Sequence, residues 1–170
     1  MISLVSGYLM ARPLTVSDTG APAQAWQDMV IESEPGFHAS MPGIPRHTIN
    51  TVTVPSWGLS TQTASFVSED MEGRSYVINV TAIPQAFQQR PQEALFRAMI
   101  DLLITSESDI PVSFAMRDKS AEFKIVREGG GSFVEGRMSE RNGIIILQMI
   151  SYTGNLPEAN YQHFIQSFTF

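Results

Sequence analysis

The chain has 170 residues, a length suited to one domain around a single core, and its 43% hydrophobic and 16% charged residues argue against disorder throughout. The formal net charge is −6 and no run of Lys/Arg exceeds a pair, so there is no basic footprint for nucleic acid, and an anionic membrane would repel the chain on average. The absence of cysteine removes disulfides, thiolate zinc ligands, thiolate nucleophiles and a lipidated cysteine, and no apolar run reaches the ~20 residues of a spanning helix.

Residues 2–11 are apolar, and Ala21-Pro22-Ala23-Gln24-Ala25 has the small-x-small spacing that a signal peptidase accepts. No Lys or Arg precedes the apolar stretch, and Arg12 and Asp18 fall after it. Residues 1–25 therefore read either as an export signal or as a strand or loose arm followed by a Pro/Gly/Ala/Ser linker. Both a cytoplasmic and an exported protein fit that segment.

From Trp26 onward the punctuation predicts an antiparallel β protein with helical insertions. Met29–Ile31 is a short strand, Pro35-Gly36 a turn, and Phe37–Met41 a strand with Phe, Ala and Met on one face. Two prolines in Pro42-Gly43-Ile44-Pro45 end it, since neither can donate to a ladder. Thr48–Val54 is rich in β-branched residues and pairs with Leu59–Val67 across Pro55-Ser56-Trp57-Gly58. A corner at Asp70–Arg74 leads into the strand Tyr76–Ile83 and completes a meander.

The period then changes. Leu95, Ala98, Met99, Leu102 and Leu103 recur at i, i+3, i+4, i+7 and i+8, which predicts an amphipathic helix over 91–106 with Pro91 in its first turn. Val112–Met116 and Glu122–Arg127 return to strand character, and Gly129–Gly131 breaks the chain. Phe133–Glu140 and Ile144–Tyr152 form a hairpin about Asn142-Gly143, a pair suited to the two positive-φ positions of a type I′ turn. The run Ile-Ile-Ile-Leu-Gln-Met-Ile at 144–150 is apolar on both faces, so it belongs in the middle of the sheet with layers above and below. Pro157-Glu158 opens a last helix in which Tyr161, Phe164, Ile165 and Phe168 share a face, and 167–170 either continue it or leave as a closing strand.

The layout over 26–170 resembles the PsbP-like fold, an antiparallel sheet sandwiched by helices with a central helix between two meanders. The residues carrying the resemblance are Gly36-Phe37-His38-Ala39-Ser40-Met41-Pro42, the strand 76–84 ending in proline, the helix 91–106, and Gly136-Arg137-Met138 leading through Asn142-Gly143 into the apolar strand. The last is Phe164-Ile165-Gln166-Ser167-Phe168, like the F-x-x-S-F ending of bacterial members. The fold implied is an α+β, α/β/α sandwich. The role implied is a small non-enzymatic binding or scaffold domain, for the family includes a photosystem II extrinsic subunit and a Ran-binding protein. It offers no shared catalytic motif to carry over, and unrelated roles on one fold make closer transfer an analogy.

The chemistry-bearing residues are few. His38, His47 and His163 lack metal-ligand spacing, and Glu69, Asp70 and Glu72 at a hairpin tip lack the alternating ligands of a calcium loop and read as a solvated turn. Gly129-Gly130-Gly131-Ser132 is followed by strand character, not by the helix a phosphate loop requires. Asn79-Val80-Thr81 fits a glycosylation pattern but lies mid-strand. Glu135 and Arg137 share a strand face and are set to meet cross-strand charges.

No catalytic residue, cofactor or metal ligand is assigned. The site expectation is Trp57, whose ring in a tight turn either anchors a protein partner or folds back over the meander. The function expected is a non-catalytic binding module for a protein partner, with no nucleic acid and no membrane span. The alternatives are a small-ligand or lipid carrier, which needs an enclosed apolar cavity between sheet and helix, and a hydrolase using His38 or His163 with a carboxylate. Partner identity and oligomeric state are not encoded in any of these features.

Overall fold

The computed structural model describes residues 25–32, 36–127 and 129–170. The expectations for the N-terminal segment therefore lie outside the described residues, except at Ala25, as does the Pro35 half of the first turn.

Among the described residues nine strands and two helices follow in order. They are β1 (Trp26–Ile31), β2 (Phe37–Pro42), β3 (Arg46–Val54), β4 (Leu59–Glu69), β5 (Ser75–Ala82), α1 (Gln92–Leu103), β6 (Ile110–Arg117), β7 (Ser120–Val126), β8 (Ser132–Arg141), β9 (Ile144–Thr153) and α2 (Glu158–Gln166). Strands β1 and β2 form a separate antiparallel ribbon. The other seven make one antiparallel sheet in the order β3-β4-β5-β9-β8-β7-β6. The architecture is thus α+β and dominated by antiparallel sheet.

Strand β9 occupies the middle position, as its two-sided apolar run requires. Alternation sends Ile144, Ile146 and Ile150 to one face, where they pack with β1, β2 and α2. It sends Ile145 and Leu147 to the other, against α1. Ile145, Ile146 and Ile150 are fully buried, and each contributes roughly 1.5–3 kcal/mol relative to an exposed side chain. The hairpin that delivers β9 turns on Asn142 (φ +52°) and Gly143 (φ +75°), with Arg141 paired to Ile144, so the connection has two residues. Opposite it, Gly136 of β8 lies so close to β9 that a Cβ there would stand 2.0 Å from the Gln148 carbonyl oxygen.

Helix α1 buries Leu95, Phe96, Ala98, Met99 and Ile100, while Glu93, Arg97 and Asp101 face water. Its C-terminal end is tied to β7 by Arg127, whose Nη1 donates to the Leu103 carbonyl and to Asp109 Oδ2, each at 2.5 Å. Asp109 also accepts from the Thr105 and Ser106 amides and so orders the loop that leaves the helix. After α2 the chain exchanges two backbone hydrogen bonds between Thr169 and His38, a one-residue bridge that docks its end on β2.

The edges of the sheet differ. On β6, Pro111 cannot donate and the register shifts between Pro111 and Ser113. On β3 nine residues run without proline or lysine, and no further strand neighbours them among the described residues.

Candidate functional site

The layers covering the two faces are offset. The ribbon and α2 cover β4, β5 and β9, whereas α1 covers β9, β8 and β7. Among the described residues no second layer packs over the face of β6, β7 and β8 on the α2 side, which mixes charged residues with Ala115, Val126 and Phe133. Glu135 lies opposite Ile150 and Lys124, and Arg137 lies opposite Glu122, which places these charges on that face.

Lys124 joins several groups of this face. Its Nζ is 2.9 Å from both the Tyr152 hydroxyl and Glu135, above the stacked Phe133 and Tyr152 rings. The Tyr152 hydrogen bond and the Glu135 charge raise the lysine pKa above its ordinary value, against the opposing effect of burial. At the border with α2, burial pushes Tyr161 up to about 12, helped by Glu122 and Glu135.

At one end of this face the β6–β7 and β8–β9 turns frame an open cleft of about 1130 Å³. It is lined by Arg117, Lys119, Arg137 and Arg141 together with Asp118, Glu122 and Glu140, and the Phe170 ring forms part of its wall. Arg117 pairs with Glu122 at 3.1 Å, and Glu140 accepts the Gly143 amide at 2.9 Å. The Arg141 guanidinium lies 4.9 Å from the Phe170 ring centroid. Among the described residues, Lys119, Arg137 and Arg141 form no ion pair. A smaller pocket shares Gln92, Glu140 and Asn142 with the cleft and adds Arg90.

Sequence reasoning did not find this cleft, because its cations are dispersed along the chain. The available signal was their position beside two-residue turns: Arg117 and Lys119 flank Asp118 (φ +49°), and Arg141 precedes Asn142. Antiparallel pairing of β7 with β8 brings those corners together.

Of the two placements the sequence allows for Trp57, the ring takes the inward one. Pro55–Trp57 forms a 3-10 turn closed by the Gly58 amide on Val54 and Pro55. The indole is 7% exposed, stacks on Phe87 at 5.4 Å and joins the core beneath α1. Gly58 at φ +63° permits the backbone reversal that folds the ring inward, so it offers no exposed anchor.

The histidines do not converge on one pocket. His38 is exposed, His47 stacks on Phe66 at 4.6 Å, and His163 packs on Trp26 at 4.4 Å. His163 Nε2 is 3.4 Å from the buried Ser40 Oγ, and among the described residues no carboxylate hydrogen-bonds that ring. No group of three or more His, Asp or Glu side chains among the described residues could hold a metal ion.

The acidic corner is solvated at Glu69 and Glu72, as the sequence reading expects, but not at Asp70. Asp70 is buried, bonds Arg74 Nε at 2.5 Å and the Arg74 and Glu72 amides at 2.9 Å, and accepts from the Tyr76 hydroxyl at 3.1 Å. Burial alone would raise its pKa, but the hydrogen bonds from Arg74 and Glu72 and the Arg74 charge bring it below the ordinary value. Gly129 and Gly130 lead directly into β8, as the strand-to-strand reading expects, and the Oδ1 of Asn79 is buried within β5.

A second, apolar cleft of about 230 Å³ lies between α1 and β6–β7, lined by Ile100, Ile104, Phe114, Phe123 and Ile125. Arg97 stacks over Phe114 at 4.5 Å at its margin. Among the described residues no helix is long and apolar enough to cross a membrane. No family model, curated protein or solved structure matches the chain.

Proposed function

We propose that this chain is a non-catalytic protein-binding module of the PsbP-like kind, and that its docking face is the unroofed β6–β7–β8 half of the sheet. The arrangement of two meanders about α1, with an apolar central strand and a terminal helix, agrees with that family's layout. The observation that carries the reading is the open cleft of about 1130 Å³, in which Glu122 and Glu140, though not Asp118, are already held, by Arg117 and the Gly143 amide. Groups so occupied suit recognition better than proton transfer, which needs a base free to reach substrate.

The apolar cleft favours a carrier role less. Its volume of about 230 Å³ is below the roughly 300–1,000 Å³ of ligand pockets and leaves no room for a lipid.

The test is a photo-crosslinking amino acid placed in the full chain at Ser139, on the unroofed face, or at Thr51, on the far edge strand. Illumination in the native cell is expected to give a discrete protein adduct from Ser139 and none from Thr51. Equal labelling from both positions, or none from Ser139, overturns the assignment of this face.

A further inference from the structure

We propose that the cleft between the β6–β7 and β8–β9 turns recognises an acidic, extended peptide segment of its partner. This inference rests on the binding-module reading and names the chemistry of the ligand. Four of the chain's 11 Lys and Arg residues line this one cleft, although the chain as a whole carries a net charge of −6. Three of them, Lys119, Arg137 and Arg141, have no carboxylate partner among the described residues. The cross-strand neighbour of Arg137 is Glu122, yet that carboxylate is drawn to Arg117. Arg137 is thus left on a partly buried surface where an incoming carboxylate meets less screening than in bulk water. Each guanidinium presents a planar fork of donors matched to a carboxylate.

The acids in the cleft choose between polyanions. A nucleic-acid strand carries a phosphate at every nucleotide, so its backbone would meet Asp118, Glu122 and Glu140 as well as the cations. An extended peptide repeats a side chain on one face about every 6.6–6.8 Å, so carboxylates can reach the cations while neutral or basic positions pass the acids. The Phe170 ring at the wall adds an apolar contact that a peptide side chain can use and an inorganic anion cannot.

Fluorescence anisotropy on the full chain tests this, with a labelled peptide of alternating Glu and Ala and a matched Gln-Ala peptide. The Glu peptide is expected to bind, to weaken with salt between about 0.05 and about 0.5 M, and to lose affinity about tenfold in the R137Q/R141Q double variant. The Arg46→Gln variant on the far edge strand is expected to bind as the parent does. Thermal unfolding of the double variant is expected to stay close to that of the parent, because among the described residues neither arginine is ion-paired and the exposed Arg141 gives up one ring contact, to Phe170. Equal binding of the Gln peptide, competition by inorganic phosphate or oligothymidylate as strong as by the Glu peptide, or unchanged binding in the double variant overturns the inference. A Ser139 adduct without Glu-peptide binding would sink the acidic ligand while leaving the docking face standing.

Discussion

Gln148 donates its side-chain amide to the Phe164 carbonyl across 3.0 Å, so the only polar residue in the central run 144–150 fastens the terminal helix to the sheet. Gln148 is 3% exposed and Phe164 is fully buried. Replacing Gln148 with Leu removes this donor and leaves the Phe164 carbonyl only the Ser167 hydroxyl, at a cost of about 0.5–1.5 kcal/mol. Urea unfolding is expected to show that loss, and amide exchange in α2 is expected to accelerate more than exchange in α1. Unchanged α2 protection would contradict the fastening role.

Asp70 and Arg74 form a buried pair, with side chains 3% and 7% exposed. Asp70→Ala strands the Arg74 charge with only the exposed Glu72 beside it, and is expected to cost roughly 3 kcal/mol at neutral pH. Because the folded pKa of Asp70 lies below its ordinary 3.8, the stabilisation is complete above that value and lost as pH falls through the folded pKa. The stability gap between parent and variant is therefore expected to hold steady from neutral pH downward and to close only below about pH 3.8. A gap that closes near neutrality would point to another group.

Trp57→Ala is expected to act on the core. Removing the ring from its stack on Phe87 creates a cavity beneath α1, with an expected loss of about 3–5 kcal/mol by chemical denaturation. The Ser139 photo-adduct is expected to persist at temperatures where the variant remains folded. A variant of parental stability that lost that adduct would restore Trp57 as a contact.

Gly136→Ala is expected to disturb the β8–β9 pairing, since the new methyl group would meet the Gln148 carbonyl and Met149 Cα, both backbone atoms that no rotamer change can move. A destabilisation of about 1–3 kcal/mol is expected, with the largest loss of amide protection in β8 and β9.

Burial pushes Tyr76 and Tyr161 up to about 12. A group protonated longer in the folded state stabilises it below the ordinary value near 10, and that contribution disappears as pH rises through the folded value. Ultraviolet titration is expected to show two of the chain's four tyrosines ionising near pH 12, with one lost in Tyr161→Phe. Four tyrosines titrating together near 10 would mean that neither ring is shielded.

Much of this fold was legible because periodicity and turn chemistry are local. The helix stripe from Leu95 onward, the Asn142-Gly143 corner and the two-faced run 144–150 each carry their own instruction. Three features were not legible. Trp57 folds inward because α1 and Phe87, some 30 residues on, provide its cover. Asp70 was read as one of three acids at a wet tip, although Arg74 four residues on supplied the clue to a buried pair. The cationic cleft arises from strand registry between β7 and β8, a non-local quantity that sequence spacing does not express.

The unequal borders of the sheet limit how it could ever stack laterally. A strand arriving from another molecule would find backbone donors and acceptors along β3, but a proline and a slipped register along β6. Growth through hydrogen-bonded borders needs two receptive sides per unit, and among the described residues the seven-stranded sheet has one uninterrupted border. Edge-to-edge joining of folded copies through this sheet would therefore favour a β3–β3 pair over a growing stack.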